Sequence, residues 1–264
     1  MKKSPKYPIK VLNKSLSILD ILLQHDSSMH MTEISEKLEL YPSTTHRILD
    51  TLKYWGYVEQ DPKTQKYRLG LKLLELGMAK LHQMDLVKEA TPYLKELVKL
   101  CNETVHLGVL EEEEVLYLAK EESSQTIRMI SYVGKRAPLH CTALGKVLLA
   151  HLSTEERKKT LGEKVLPRLT ENTITDKKEL EKELSKVREQ GFALDREENE
   201  KDVRCIAAPI MNYQGEVIAA LSISSPIFRI DKNAQNNLKE ALIETSEKIS
   251  KRLGYDDKLH KEAI

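Results

Sequence analysis

Apolar residues between Ile9 and Leu23 fall at positions 9, 12, 16, 19, 22 and 23, a spacing that predicts an amphipathic helix. The polar stretch "QHDSSMH" interrupts it. "MTEISEKL" predicts a short second helix with Thr32 as its N-cap and Ile34 and Leu38 one turn apart. After "LYP", the run "STTHRILDTLKYWGYV" predicts a third helix, capped by Ser43, with Ile48, Leu49, Leu52 and Trp55 turned inward and Gly56 at its end. "YVEQDPKTQKYRLG" alternates about the turn "DPKTQ" and predicts a two-stranded ribbon. Three helices with a short middle one, followed by a hairpin, make a winged helix-turn-helix over residues 1–70.

The pattern then changes. "LKLLELGMAKL" is helical and apolar on more than one side, as expected of a linker or dimerisation helix over 71–85. A long helix follows, with Leu86, Val87, Ala90, Leu94, Leu97, Val98 and Cys101 on one face. Strands are expected at "TVHLGVL", "EVLYLAK", "TIRMISYV", "VRCIAAPIM" and "EVIAALSIS", the last two joined by the turn "NYQG". "ALGKVLLAHL" and "DKKELEKELSKVREQG" read as helices. The latter has Asp176 and Glu179 as a capping box and Gly191 at its C-terminus. A last helix capped by Asp231 ends near Gly254, and residues 256–264 form a tail. Strands mixed with helices, and an antiparallel hairpin late in the chain, predict an α+β domain of sensory type over 86–255.

Composition changes this picture little. The 264 residues suffice for two modest domains, and 40% hydrophobic against 31% charged residues allows both a core and solubility. Lys+Arg 42 against Asp+Glu 41 gives no overall bias, but 11 of the basic and 8 of the acidic residues precede Gly70, so the front is mildly basic and the rest mildly acidic. No apolar run approaches the ~18–20 residues of a membrane span. "MKKSPKYP" lacks a signal peptide's apolar centre. Three scattered cysteines argue against a disulfide framework, and a reducing cytoplasm is expected.

At the front, Ser43, Thr44, Thr45, His46 and Arg47 open the third helix, the end that enters the major groove in a helix-turn-helix. Small hydroxyls allow close approach to phosphates or base edges, and an Arg can bridge a guanine. Lys63, Lys66 and Arg68 stand where a wing meets the DNA backbone or minor groove. Taken singly, these residues are also ordinary caps and solvated charges. Their order within one hairpin-ended unit is what points to double-stranded DNA.

In the second half, "PLHCTALGKVLLAHL" raises a choice for His140 and Cys141 between a catalytic pair, metal ligands and the lining of a pocket. Thr142 is a suitable N-cap, which makes Ala143, Leu144 and Gly145 the first helical turn. Their amides lack intrahelical acceptors and carry the positive end of the dipole, a feature that suits a small anion such as a carboxylate. Adjacent residues in an extended loop point apart, so His140 and Cys141 make a poor dyad. A zinc site from His106, His140, Cys141 and Cys205 has suitable donors but no metal-binding spacing. No metal, catalytic residue or cofactor is therefore expected. Period-two alternation puts Val203 and Cys205 on one face of their strand and Arg204 and Ile206 on the other, while Ser222 and Ser224 oppose Leu221 and Ile223. Serines in a buried strand need partners, either neighbouring backbone or a polar ligand.

From about Ile9 to Gly254 the chain resembles the IclR family of bacterial transcription regulators. The carriers are "YPSTTHRILDTLKYWGYVEQDPKTQKYRLG", "GKRAPLHCTALGKVLLAHL", "GFALDREENEKDVRCIAAPI" and "GEVIAALSISSP", in that order. The resemblance implies a winged helix-turn-helix, a linker helix and a GAF-like effector domain. It also implies dimers or tetramers on palindromic operators, usually as repressors, and small carboxylate or keto-acid effectors from catabolic pathways. By motif, Ala143 and Leu144 would supply the backbone amides. Asp195, Cys205, Ser222 and Ser224 would form a polar wall, and Met129, Ala137 and Val203 an apolar collar. Some members have Gly in place of Ala143, which makes the anion end slightly tighter here. "PLHCTALGK" and "FALDREEN" lean toward regulators sensing sugar acids such as 2-keto-3-deoxygluconate. The alternative, an enzyme or redox sensor using Cys205 or Cys141, predicts that either thiol is reactive.

Overall fold

Around residues 10–82, helix and hairpin enclose one small core. In the computed structural model, which describes residues 8–24, 28–82, 85–126, 130–162, 165–229 and 232–257, the chain divides into two units, Met1–Gln83 and Met84–Ile264. The first contains α1 (Lys10–Gln24), α2 (Met31–Lys37), α3 (Pro42–Tyr54), β1 (Val58–Gln60), β2 (Tyr67–Leu69) and α4 (Leu71–His82). Ile18, Leu22, Met29, Ile34, Ile48, Leu49, Val58 and Tyr67 are its buried core. The wing is antiparallel, Val58 opposite Leu69 and Gln60 opposite Tyr67. Met29 adds a third bridge to Tyr67, which ties the segment before α2 to the ribbon.

Several details depart from the expectations. The caps lie earlier: His30 precedes α2 and donates its backbone N–H to Glu33 Oε2 at 2.6 Å, so Thr32 lies inside the helix. Tyr41 precedes α3 with Pro42 in the first helical position, a place Pro favours because its missing N–H has no partner there anyway, so Ser43 is not the cap. Trp55 is 64% exposed instead of buried, since α3 ends on it and its ring stands edge-on to exposed Tyr54. On α1 the burial falls on Ile18 and Leu22, whereas Leu12, Leu16 and Leu23, like Ile9 just before the helix, are at least half exposed. Periodicity located the helix; which of its two apolar sides faces the core depended on α3 and the wing.

The second unit is a six-stranded sheet, order β5-β4-β3-β8-β7-β6, with every neighbouring pair antiparallel. Its strands are β3 (Thr104–Glu111), β4 (Glu114–Glu121), β5 (Arg136–Ala137), β6 (Ala193–Arg196), β7 (Val203–Met211) and β8 (Val217–Pro226). α5 (Leu86–Cys101) and α9 (Lys232–Arg252) cover one face, burying Leu94, Leu97, Leu242 and Ile249 against Val105, Leu107, Ile206, Leu221 and Ile223. On the other face lie α6 (Ala143–His151), α7 (Thr154–Leu161) and α8 (Lys177–Gln190), with Val147, Leu149, Leu180 and Leu184 packed toward Val115, Ala193, Ala207 and Ala220. Asp176 caps α8 by accepting from Glu179 N, and Gly191 ends it at φ 78°.

Here too the structure adds and corrects. Residues 130–133, expected in a strand, lie in a loop, and only Arg136–Ala137 pairs with β4. The reason is local: Ser131 is held by side chains of β3 and β4 in place of a backbone ladder. α7 was not anticipated, although Ser153 and Glu156 form a reciprocal capping box before it. β6 was likewise not anticipated. The expected cap Asp231, and residues 258–264 of the expected tail, lie outside the described residues.

Candidate nucleic-acid interface and effector site

On α3, Ser43, His46 and Arg47 are exposed and Thr44 is half-buried, so the first turn and a half presents a polar surface. Thr45 does not belong to it. It is fully buried beneath the helix start, where its hydroxyl faces Tyr41 O at 3.4 Å, and a residue packed into the core is not offered to a groove. The wing turn is built by Asp61, whose Oδ1 accepts from Lys63 N and Thr64 N at 2.8 Å each, a side-chain turn that fixes the tip. Lys63 is exposed there and Lys66 half-buried. Arg68 is exposed but held by Glu59 at 3.1 Å, a surface pair that water screens and that a phosphate could replace at little cost. Tyr41, 80% exposed at the mouth of α3, is a surface aromatic the sequence pattern did not flag.

In the second unit, strand register aligns the predicted residues. Asp195 on β6 pairs with Cys205 on β7, Cys205 with Ser224 on β8, and Ser224 with Thr104 on β3. Paired residues of an antiparallel sheet point the same way, so these four make one cross-strand row. The adjoining row is Ala193, Ala207, Ser222 and His106. Both rows lie on the face that α6 covers. Ala137 and Val203 belong to that face as well, at the β5 edge and the start of β7. Met129 lies outside the described residues.

The start of α6 is tightly built. Thr142 accepts from Gly145 N at 3.1 Å and donates its hydroxyl to Pro138 O at 2.6 Å. A Cβ on Gly145 would stand 2.3 Å from Leu139 O, so only glycine lets the turn pack on its own entry loop. The amides of Ala143 and Leu144 bond to nothing among the described residues. One turn further, Lys146 Nζ meets Glu198 Oε1 at 2.6 Å, fully buried on the Lys side and 5% exposed on the Glu side. Glu198 Oε2 has no hydrogen-bond partner among the described residues. Glu198 sits in the β6–β7 loop, which is clamped by Thr170 and Thr173 hydroxyls on the carbonyls of Glu197 and Glu198 at 2.6 Å. Asp195 Oδ1 caps the same loop, accepting from Glu198 N at 2.8 Å. Burial pushes Asp195 up to about 7, with the Glu198 carboxylate adding to the shift and Lys146 opposing it. No local pattern signals this ion pair, because its members lie 52 residues apart.

His140 and Cys141 turn away from each other. The His140 ring faces Pro167 O at 3.0 Å, and the Cys141 thiol faces Asn199 Oδ1 at 3.8 Å. Burial pushes Cys141 up to about 12 and raises Cys205 as well, and the Asp195 carboxylate beside them adds to both shifts. Burial that favours the protonated thiol makes each of them a weaker nucleophile than an exposed cysteine. His106 also has its ring nitrogens engaged, Nε2 by Ser131 Oγ at 2.7 Å and Nδ1 by Ser224 Oγ at 3.5 Å, and burial drives its pKa down to about 3. Among the described residues no three His, Cys, Asp or Glu side chains cluster as a metal site. No described helix is long and apolar enough to cross a membrane.

A winged helix-turn-helix followed by an antiparallel sheet domain covered by helices on both faces defines a DNA-binding transcription regulator. Residues 11–62 match the IclR helix-turn-helix domain and residues 78–251 the C-terminal domain of bacterial IclR regulators. The chain is 41% identical to the HTH-type transcriptional regulator KdgR of Dickeya chrysanthemi, over 92% of this chain and 80% of that protein. It is 38% identical to the regulator XynR of Escherichia coli, over 94% and 98%. Among solved structures, the repressor BlcR of Agobacterium tumefaciens superposes with a TM-score of 0.85 at 26% identity, covering 94% of this chain and 99% of that one. The chain belongs to the IclR family, on the KdgR side of it. It regulates transcription through DNA; the relatives are named as regulators, and the enzyme or redox alternative finds no support.

Proposed function

We propose that this protein represses a catabolic operon and that a small carboxylate or keto acid, of sugar-acid type, controls the repression. Ser43, Thr44, His46 and Arg47 read the major groove of a palindromic operator, and Lys63, Lys66 and Arg68 hold the flanking backbone. The acid's carboxylate docks on the amides of Ala143 and Leu144, with Asp195, Cys205, Ser222 and Ser224 around its polar end and Ala137 and Val203 around its apolar side. The observation that carries this reading is the pair of unpartnered amides at the positive end of α6, on the same sheet face as the buried row. The protein acts as a homodimer or homotetramer in the cytoplasm. Exposed Ile9 just before α1, Leu12 and Leu16 on α1, and Leu71 and Leu74 on α4 support association of a second copy with the first unit.

The test is an operator-fragment titration across salt and across a panel of short keto acids. Log affinity should fall linearly with log salt, and one acid should shift the affinity at fixed salt. A flat salt response would remove the groove assignment. Indifference to every acid would remove the effector assignment.

A further inference from the structure

Between α3 and the wing lies a trough that the sequence pattern did not single out. His46, Asp50 and Lys53 fall at i, i+4 and i+7 on α3 and form one exposed stripe of the helix. Across from it stand half-buried Gln60 on β1 and exposed Gln65 just before β2. With Thr32 of α2, these residues line a cavity of about 420 Å³. Lys53 Nζ donates to Gln60 Oε1 at 3.3 Å. Gln60 Nε2 donates in turn to Gln65 Oε1 at 3.0 Å and Gln65 O at 3.3 Å, and Gln65 Nε2 to Pro62 O at 2.9 Å. This relay ties the last turn of α3 to the wing turn. Water competes with each of these exposed bonds, so what they fix is a direction more than a stability.

The cation at the head of the relay has no counter-ion among the described residues. Asp50 stands about one turn back on the same stripe, yet the ammonium turns to the wing and bonds a neutral amide. An ammonium has three donors, and the Gln60 bond uses one of them. DNA supplies the complement. When a recognition helix enters the major groove and its wing meets the adjoining minor groove, one sugar-phosphate strand separates the two. That strand has to cross the trough, and it carries a regular row of negative charge. Phosphate contacts fix a protein's register on the duplex while carrying no sequence information.

We propose that Lys53, oriented by Gln60 and Gln65, holds the sugar-phosphate strand of the bound duplex where it crosses between the recognition helix and the wing. The contact sets affinity and register and leaves sequence preference alone. This rests on the reading of α3 as the helix that enters the groove. Asp50, in the same trough, opposes the phosphate, so removing its charge acts in the other direction.

The test uses the full chain and two duplexes of equal length, one that the parent selects from a random-sequence pool and a scrambled copy of it. Affinities are read by fluorescence anisotropy across salt. Lys53→Met and Lys53→Gln should each lower the slope of log affinity against log salt by about 0.9 for every copy of the chain bound. Both should weaken the two duplexes by the same factor, about tenfold or more at low salt, with the preference for the selected duplex unchanged. Lys53→Arg should keep the parent's slope, and Asp50→Asn should tighten both duplexes alike. A single neutral methylphosphonate beside the wing should weaken the parent and leave Lys53→Met unaffected. Melting curves show whether each variant folds as the parent does. A slope unchanged by both charge-removing substitutions overturns the proposal. A loss confined to the selected duplex also overturns it, because Lys53 would then read a base. Failure of the parent to select any duplex removes the groove reading itself, an outcome distinct from either of these.

Discussion

Replacing Ala143 by proline removes one of the two unpartnered amides without asking the helix to break. Proline is tolerated in the first helical position, where no backbone bond is lost, and it requires an extended preceding residue. Thr142 already sits at φ −97°, ψ 147°. The cap itself runs from Thr142 to Gly145 N, two residues past the change, and survives it. Ala143 is 1% exposed in the core under α6, so the added ring carbons should cost about 1–3 kcal/mol of stability, which unliganded melting reads separately from binding. Effector binding should suffer as well. A hydrogen bond to a charged group contributes about 1.5–3 kcal/mol, which is roughly 10- to 150-fold in affinity. The ring carbons also occupy the place where the carboxylate would stand. The assay is calorimetric titration of the acid that releases the parent from its operator, alongside operator binding without acid. Acid affinity should collapse while unliganded operator binding stays near the parent's. An Ala143→Pro protein that binds the acid as the parent does would refute the anion-docking argument, because no other group at that position can supply the donor.

Two further outcomes follow from charge buried under α6. Lys146→Met leaves the buried Glu198 carboxyl without its cation, in a site where Oε2 already lacks a partner among the described residues. The expected cost is about 3–5 kcal/mol in urea unfolding, and adding Glu198→Gln should restore a large part of it; a single-variant cost under about 1 kcal/mol would contradict the pair's burial. Asp195, raised from 3.8 to about 7, binds its proton more tightly folded than unfolded. Its stabilising contribution is complete below the unfolded value and is lost as pH rises through about 7. Asp195→Asn keeps an oxygen to accept from Glu198 N but no longer ionises, so its stability relative to the parent should improve between about pH 5 and about pH 7.5. A difference that stays constant across that window would show that Asp195 is not desolvated.

Period-three-to-four and period-two patterns were enough to place the helix-turn-helix, the wing, α5, α6, α8 and the β7–β8 hairpin, because each of those elements buries one face and so writes its burial into local sequence. Alternation likewise put Cys205 opposite Arg204, and Ser222 with Ser224, before any fold was known. What local pattern could not carry was the choice between two plausible faces or two plausible caps. α1 has apolar residues on both sides, and α3 with the wing decided that Ile18 and Leu22 go inside. Ser43 and Thr32 are good caps by type, yet Pro42 and Glu33 set the helix starts earlier. Residues 130–133 have strand composition, but side chains of His106 and Lys120 take Ser131 before a ladder can. The remainder is a matter of register. Asp195, Cys205, Ser224 and Thr104 come from four strands, Lys146 and Glu198 from a helix and a distant loop, and His106 and Tyr117 from the two sides of a bulge. The chain's order determined which residues exist and which way each points along its own strand. Only the closing of the sheet, where a shift of one residue would turn every side chain to the other face, decided which of them meet.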